Sequence, residues 1–164
     1  MMMSKKSVPL RILGIDPGTS LIGWGIIDSL SAIDFGAFRT KSNIHNRDRV
    51  NDVFDFFSKL IQKQKPDIVS LETLFFFKNA KTVMQVSEIR GVLLLAAAQA
   101  GVEIREFTPL QVKQAISGYG RADKAQVERM VMMILGLKAP PKPDDVADAL
   151  ALAICAANTV RYGA

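Results

Sequence analysis

The stretch RILGIDPGTSLIGWGII, residues 11–27, decides how this chain folds. Its first part, Arg11 to Ile15, is apolar and ends at Asp16-Pro17-Gly18, which predicts a buried strand followed by a turn. Ile22 to Ile27 has the composition of a second strand, and Ala32 to Phe38 that of a third. Because the connections between them are short, these three strands are predicted to form an antiparallel meander.

Helical and strand patterns alternate after the meander. Asp48 to Gln64 has helical apolar spacing that Pro66 stops, Asp67 to Leu71 is a buried strand, and Asn79 to Ala100 is a long helix capped by Gly101. The remaining predicted elements are a strand over Val102 to Phe107, helices over Pro109 to Ile116 and Asp123 to Leu135, and a final helix with the core stripe Val146, Ala149, Leu150, Ala153, Ile154 and Ala157. This order predicts an α/β protein with a five-stranded mixed sheet and helices on both faces, compatible with the ribonuclease H-like fold.

Length and charge limit the classes of function. The 164 residues are predicted to form one domain, residues 1–164, with residues 1–9 as a flexible N-terminal extension. A net charge of +5 and a pI near 9.5 favour a polyanionic partner such as nucleic acid. The single cysteine, Cys155, excludes an internal disulfide and is predicted to be a small buried hydrophobe. Since neither a signal-peptide pattern nor a membrane-spanning apolar run is present, a soluble cytoplasmic protein is expected.

Four carboxylates stand where a site is expected. Asp16 and Glu72 each follow an apolar strand, and the spacing of Asp145 and Asp148 places both on one face of the final helix. Each like-charged pair costs roughly 4 kcal/mol at about 4 Å and an effective dielectric near 20, so such a cluster favours a divalent cation. Structural alternatives stay open, because Asp-Pro-Gly is a common turn, Glu72 can be a solvated strand end, and Asp144 can be an ordinary N-cap.

Five sequence blocks strongly resemble the RuvC family of Holliday junction resolvases. They are GIDPGTSLIGWG around Asp16, ETLFFFKNAKT from Glu72, RGVLLLAAAQAG from Arg90, VKQAISGYGRADKAQV from Val112 and DDVADALALAI from Asp144. The blocks occur in the family's order, and the resemblance extends from Arg11 to Ala157. It implies a structure-specific endonuclease that makes paired symmetric nicks in four-way DNA junctions during recombination and repair.

The resemblance also assigns roles to the acids. It implies a two-magnesium centre made by Asp16, Glu72, Asp145 and Asp148, with the family spacing selecting Asp145 over Asp144. Mn²⁺ is a possible substitute for Mg²⁺. The expected chemistry is in-line attack of water on a phosphodiester, which leaves a 5′ phosphate and a 3′ hydroxyl.

DNA contacts are expected in two other blocks. The resemblance implies that Phe75 stacks on an unpaired base near the junction centre and that Lys113 and Lys124 lie near the scissile phosphate. Lys78, beside the phenylalanine run, and Arg121, in the glycine-flanked turn, are further candidate contacts with the DNA backbone. For each lysine a solvated helix position is the structural alternative.

The two-fold symmetry of a four-way junction predicts a C2 homodimer. One face of the Asn79 to Ala100 helix is the candidate interface, and it carries Ala80, Val83, Met84, Ser87, Gly91, Leu94 and Ala98. Ordinary core packing is the alternative role for this face. The resemblance further implies a branch-migration motor as a partner.

Two rival functions remain open on the sequence. The GIDPGTS segment also resembles the phosphate-binding turn of sugar kinases and actin-like ATPases, although those enzymes need a second large domain and a second phosphate loop. The other rival is a non-catalytic module that binds junctions. The intact set of four acids argues against a degenerate site.

Overall fold

The computed structural model describes residues 10–74 and 80–162, which form ten elements of secondary structure. In chain order these are β1 (Arg11–Asp16), β2 (Leu21–Asp28), β3 (Ser31–Arg39), α1 (Asn46–Gln64), β4 (Ile68–Glu72), α2 (Ala80–Gln99), β5 (Glu103–Phe107), α3 (Pro109–Ser117), α4 (Lys124–Leu135) and α5 (Asp144–Tyr162). The predicted elements are confirmed in kind and order, and their ends lie within two residues of the predicted ones.

The five strands form one mixed sheet in the order β3-β2-β1-β4-β5. β1, β2 and β3 pair antiparallel, which confirms the predicted meander. β4 pairs parallel with β1, and β5 pairs parallel with β4. The parallel pairs follow from the helices α1 and α2, because a helical crossover returns the chain to the same end of the sheet.

Helices cover both faces of the sheet, as predicted. The alternation of side chains along β1 sends Leu13 and Ile15 to a core shared with α1 and α2, and Ile12 to a core shared with α3, α4 and α5. All three side chains are fully buried. The predicted stripe of α5 is also buried, and it faces β1 and β2.

Helix α5 packs directly on strand backbone because two strand glycines have no side chain. A Cβ atom on Gly14 would lie 1.9 Å from the carbonyl oxygen of Ala149, and one on Gly23 would lie 2.1 Å from that of Asp145. A buried hydrogen bond from the Ser70 hydroxyl of β4 to the Leu152 carbonyl, at 2.8 Å, adds a polar link to the same helix. The glycines therefore set the depth at which the first turn of α5 lies.

Helix α2 ends as the sequence predicts. Gly101 has φ +68°, its amide donates to the Ala98 carbonyl, and the Val102 amide donates to that of Ala97, which is a Schellman C-cap. One face of α2, with Ile89 and Leu93, is buried in the core. Asn79, the predicted first residue, lies outside the described residues. None of the helices in the described ranges is long and apolar enough to cross a membrane.

Cys155 confirms its predicted role as a small buried hydrophobe on α5. Its side chain is 2% exposed, and its thiol donates a weak hydrogen bond to the Gln111 carbonyl at 3.9 Å. Burial raises the pKa of this thiol to about 11. The group is therefore a neutral thiol near neutral pH.

Candidate active site

Asp16 and Glu72 lie side by side at one edge of the sheet. β1 and β4 are parallel and Ile15 is paired with Leu71, so the next residue of each strand reaches the same edge. Side-chain alternation then places Asp16 on the face of Gly14, and Glu72 on the face of Ser70, where α5 packs. Two distant parts of the chain are thus brought to one place by strand pairing.

The first two turns of α5 bring the helical acids to the same edge. Gly23 is the sheet partner of Asp16, and the backbone of Asp145 lies directly over Gly23. Asp148 follows one turn later and lines a cavity with Asp16 and Glu72. Asp145 is close enough to Asp16 to raise the pKa of that carboxyl, although it does not line the cavity in the described part of the chain.

This cavity, of about 290 Å³, joins the acids to two lysines, Lys113 of α3 and Lys124 of α4. Both helices begin with a capping box, in which two residues each accept a hydrogen bond with the side chain from the other's backbone amide. The pairs are Thr108 with Gln111 in α3, and Asp123 with Gln126 in α4. The caps fix the backbone that carries each lysine. The cavity is therefore lined by both anions and cations.

The pKa values of the acids reflect their burial and their mutual repulsion. Burial, followed by the charges of Asp148, Glu72 and Asp145, raises the pKa of Asp16 to about 8. Burial and Asp148 also raise the pKa of Glu72, against the attraction of Lys113. Both shifts express first the cost of burying a carboxylate and second the repulsion from the neighbouring carboxylates.

Lys124 supplies part of that compensation. Its Nζ lies 3.4 Å from an Asp148 carboxylate oxygen and 3.7 Å from one of Asp144, and Asp148 chiefly raises its pKa. The pKa of Asp148 is nevertheless raised, because burial of this carboxyl outweighs the attraction of the partly exposed lysine. One lysine therefore does not neutralise the cluster.

Asp144 differs from its expected role as an N-cap. It is the first residue of α5, and its carboxylate accepts a hydrogen bond from Lys142 at 3.0 Å. The lysine ahead of the helix lowers the pKa of Asp144. Asp144 therefore stands inside the first turn of α5 rather than ahead of it, and its carboxylate forms an exposed ion pair with Lys142.

The chemistry of the donors fits a divalent metal. Asp16, Glu72 and Asp148 share one cavity, and hard carboxylate oxygens are the ligands that Mg²⁺ takes in proteins. Within residues 10–74 and 80–162, no group of three histidine, cysteine or carboxylate side chains is arranged closely enough to hold a metal ion.

Other predicted site residues have different outcomes. Phe75 and Lys78 lie outside the described residues. Arg121 is exposed in the turn between α3 and α4 and does not line the cavity in the described part of the chain. Sequence reasoning missed Arg90, whose Nε donates to the Glu72 carbonyl at 3.3 Å while its guanidinium pairs with Glu106.

The acid cluster predicts a pH-dependent stability in buffer with EDTA. The pKa of Asp16 rises from 3.8 to about 8 on folding, so between these values the folded chain binds more protons than the unfolded chain. The free energy of unfolding is therefore expected to fall as pH rises through this window. Thermal melting of the wild type at about pH 5 to about pH 9 measures the slope, and Asp16→Asn should flatten it.

Asp55→Asn is the matched control, because it removes the same charge from the exposed surface of α1. This variant should keep the wild-type slope. A wild-type melting temperature that rises steadily with pH through the window would contradict the close placement of the acids.

Known proteins resemble this chain in sequence and in fold along nearly its whole length. The family model for crossover junction endodeoxyribonuclease RuvC matches residues 12–156. The crossover junction endodeoxyribonuclease RuvC of Ruminiclostridium cellulolyticum is 51% identical over 157 residues, which cover 93% of this chain and 95% of the relative.

Two solved structures of Thermus thermophilus RuvC are 32% identical to the chain. The first, a structure of Thermus thermophilus RuvC, has a TM-score of 0.88, and the match covers 94% of this chain and 97% of that chain. RuvC in complex with a Holliday junction substrate has a TM-score of 0.86, with coverage of 94% and 96%. With sequence, fold and family model in agreement along nearly the whole length, the chain belongs to the RuvC family of crossover junction endodeoxyribonucleases.

Proposed function

We propose that this chain is a structure-specific endonuclease that resolves four-way DNA junctions by paired symmetric nicks. The observation that carries the proposal is the single cavity in which Asp16, Glu72 and Asp148 meet Lys113 and Lys124. Family membership supports it, since the relatives are named as crossover junction endodeoxyribonucleases. The Thermus thermophilus relative has also been solved with a Holliday junction substrate.

Asp16, Glu72, Asp145 and Asp148 are the proposed catalytic and metal-binding residues. Nucleases of the RuvC family depend on divalent metal, and we propose two Mg²⁺ ions per subunit, with Mn²⁺ as a substitute. Such ions, when bound, supply a more acidic water and neutralise charge on the phosphodiester. The half-buried, mutually repelling carboxylates would supply the oxygens that hold these ions.

The lysines of the cavity are proposed to hold the substrate. Lys113 and Lys124 face the same space as the acids, so a phosphodiester that enters it meets cations on the α3 and α4 side. Lys124 then exchanges its pairing with Asp148 for a phosphate oxygen. Phe75, Lys78 and Arg121 remain proposed DNA contacts on the family pattern alone.

A homodimer is proposed because paired nicks need two sites related by two-fold symmetry. The outer face of α2 supports this, since Met84 is 67% exposed and Leu95 is 50% exposed beside the exposed backbone of Gly91. Large apolar side chains in such an exposed stripe are typical of a surface that is covered in an assembly. A branch-migration motor as partner and a cytoplasmic location remain expectations from the sequence.

The decisive experiment incubates the purified chain with a mobile four-way junction in Mg²⁺ or in EDTA. Denaturing gels of all four strands should show metal-dependent nicks at symmetric positions in two strands of like polarity, with 5′ phosphates that ligase can reseal. Light scattering of the same sample should give the mass of a dimer. A monomeric mass would contradict the symmetric mechanism.

The same assay separates the rival functions. Junction binding without any nick in Mg²⁺ or Mn²⁺ would indicate a non-catalytic binding module. ATP hydrolysis without nicking would favour the hypothesis that the GIDPGTS turn binds the phosphates of ATP, as in sugar kinases and actin-like ATPases. Nicking of linear duplex at the same rate would contradict specificity for junction structure.

A further inference from the structure

A second groove at the edge of the sheet has the chemistry of a phosphate-binding surface. It measures about 770 Å³ and lies where the β1–β2 turn, the end of β3 and the beginnings of α1 and α2 meet. We call it the basic groove, and its principal lining residues are Thr19, Ser20, Arg39, Thr40, Lys41 and Arg49. None of these residues lines the cavity that holds the acids.

The charge of the basic groove is positive. Arg39, Lys41 and Arg49 line it, and among its described lining residues there is no carboxylate. Lys41 is partly balanced from outside the groove by Asp52, at 3.7 Å. The Nε atom of Arg49 is buried and has no hydrogen-bond partner among the described residues, so its desolvation is not compensated there.

The polar wall of the groove is held in place by the backbone. The Thr40 amide donates to the Ser20 carbonyl at 3.0 Å, and the Thr40 hydroxyl lies 3.2 Å from the Thr19 carbonyl oxygen. These contacts tie the β1–β2 turn to the end of β3. Guanidinium and hydroxyl groups on a fixed backbone are typical of sites that bind phosphate oxygens.

The groove lies close to the acid cluster along the chain. Ser20 is the fourth residue after Asp16, so their Cα atoms are at most about 14 Å apart. Asp16 faces α5, whereas the basic groove opens beside α1 and α2. A DNA strand that crosses this edge, with a rise of about 3.4 Å per phosphate, reaches the groove within about four phosphates of the acids.

We infer that the basic groove binds the sugar-phosphate backbone of one junction arm, on the opposite side of the sheet edge from the cleaved phosphodiester. The inference rests on the proposed function, because it takes the acid cluster as the place of cleavage. It adds a binding surface made of the β1–β2 turn, the end of β3 and α1. None of the sequence blocks that carry the proposed DNA contacts includes Arg39, Lys41 or Arg49.

The test compares two charge-matched double variants in EDTA. Arg39→Gln with Lys41→Gln removes two exposed cations of the groove, and Lys59→Gln with Lys63→Gln removes two exposed cations farther along α1. Junction affinity is measured by fluorescence anisotropy between about 50 and 200 mM salt. The groove variant should lose about 1.8 from the salt slope, at about 0.9 per phosphate contact, and the α1 variant should match the wild type.

Neutral methylphosphonates placed singly along the arms then locate the contact. Substitution about three to five phosphates from the cleaved bond should weaken the wild type and have little further effect on the groove variant. Arg49→Gln, checked for an unchanged melting temperature, should lose about 0.9 from the salt slope, and Arg49→Lys should recover part of that loss. Agreement of these results supports the groove as an arm-binding surface.

Two outcomes would overturn the inference. One is an unchanged salt slope in the groove variant, and the other is an equal loss in both double variants, which would reflect net charge alone. Cleavage of the junction by the wild type in Mg²⁺ would leave the proposed nuclease standing in either case. Failure of the wild type to bind or cut the junction would instead remove the proposed function and this inference with it.

Discussion

Asp16→Asn is expected to slow cleavage of a four-way junction by about 10³-fold or more while junction binding is retained. The carboxylate is the most strongly perturbed acid of the cavity, and it faces Glu72 and Asp148. Asparagine keeps the shape of the side chain but removes the charge that attracts the metal. A loss of several kcal/mol of metal-dependent stabilisation of the transition state corresponds to a rate decrease of about 10³-fold. Single-turnover cleavage in Mg²⁺ and anisotropy in EDTA measure the two quantities.

The matched control for this change is Asp55→Asn, which should cleave at the wild-type rate. Asp16→Asn should also melt at a higher temperature than the wild type in EDTA near pH 8, because one repelling carboxylate is gone. Cleavage by Asp16→Asn within tenfold of the wild type would remove Asp16 from the proposed mechanism.

Gly14→Ala is expected to destabilise the fold by about 3 kcal/mol or more, which corresponds to a fall in melting temperature of roughly 6–12 °C. The new Cβ would lie 1.9 Å from the Ala149 carbonyl oxygen and 2.8 Å from the Ala153 amide nitrogen. Both atoms belong to the backbone of α5, so no side-chain rotation relieves the clash. The helix must move away from the sheet, and the acids it carries move with it.

Gly36→Ala is the control, because it makes the same change in a strand of the same sheet. The three atoms nearest to its Cβ would all belong to the Trp24 ring, the first at 3.0 Å, and that side chain can adjust. Thermal melting should therefore show a much smaller loss for Gly36→Ala. Equal losses in the two variants would indicate a general cost of replacing strand glycine, and the close packing of α5 would lose its support.

Most of the fold follows from local sequence patterns. The apolar runs before Asp16 and Glu72 predict two strands. In the parallel pair that these strands form, the last apolar residues, Ile15 and Leu71, are partners, so the two acids that follow lie next to each other. The predicted stripe of α5 and the C-cap at Gly101 are confirmed because periodicity and the need for positive φ act over a few residues. Element ends are less certain, since the terminal residues depend on contacts from other elements.

The site is only partly predictable, for a physical reason. Parallel strands bring Asp16 and Glu72 together, but the approach of Asp145 depends on the missing side chain of Gly23, which no pattern within α5 encodes. Glycines at alternate strand positions in GIDPGTSLIGWG were the available signal for a helix packed on bare backbone. The contact of Arg90 with the Glu72 carbonyl joins separate elements and leaves no local pattern.

The concealed thiol of Cys155 makes this chain convenient for fluorescence work. Maleimide dyes react with thiolates, and a side chain that is 2% exposed with a pKa of about 11 offers almost none at neutral pH. A cysteine introduced at the exposed Lys59 would therefore carry the dye alone, without removal of the natural residue. Single-molecule recordings of junction engagement can thus use an otherwise native chain.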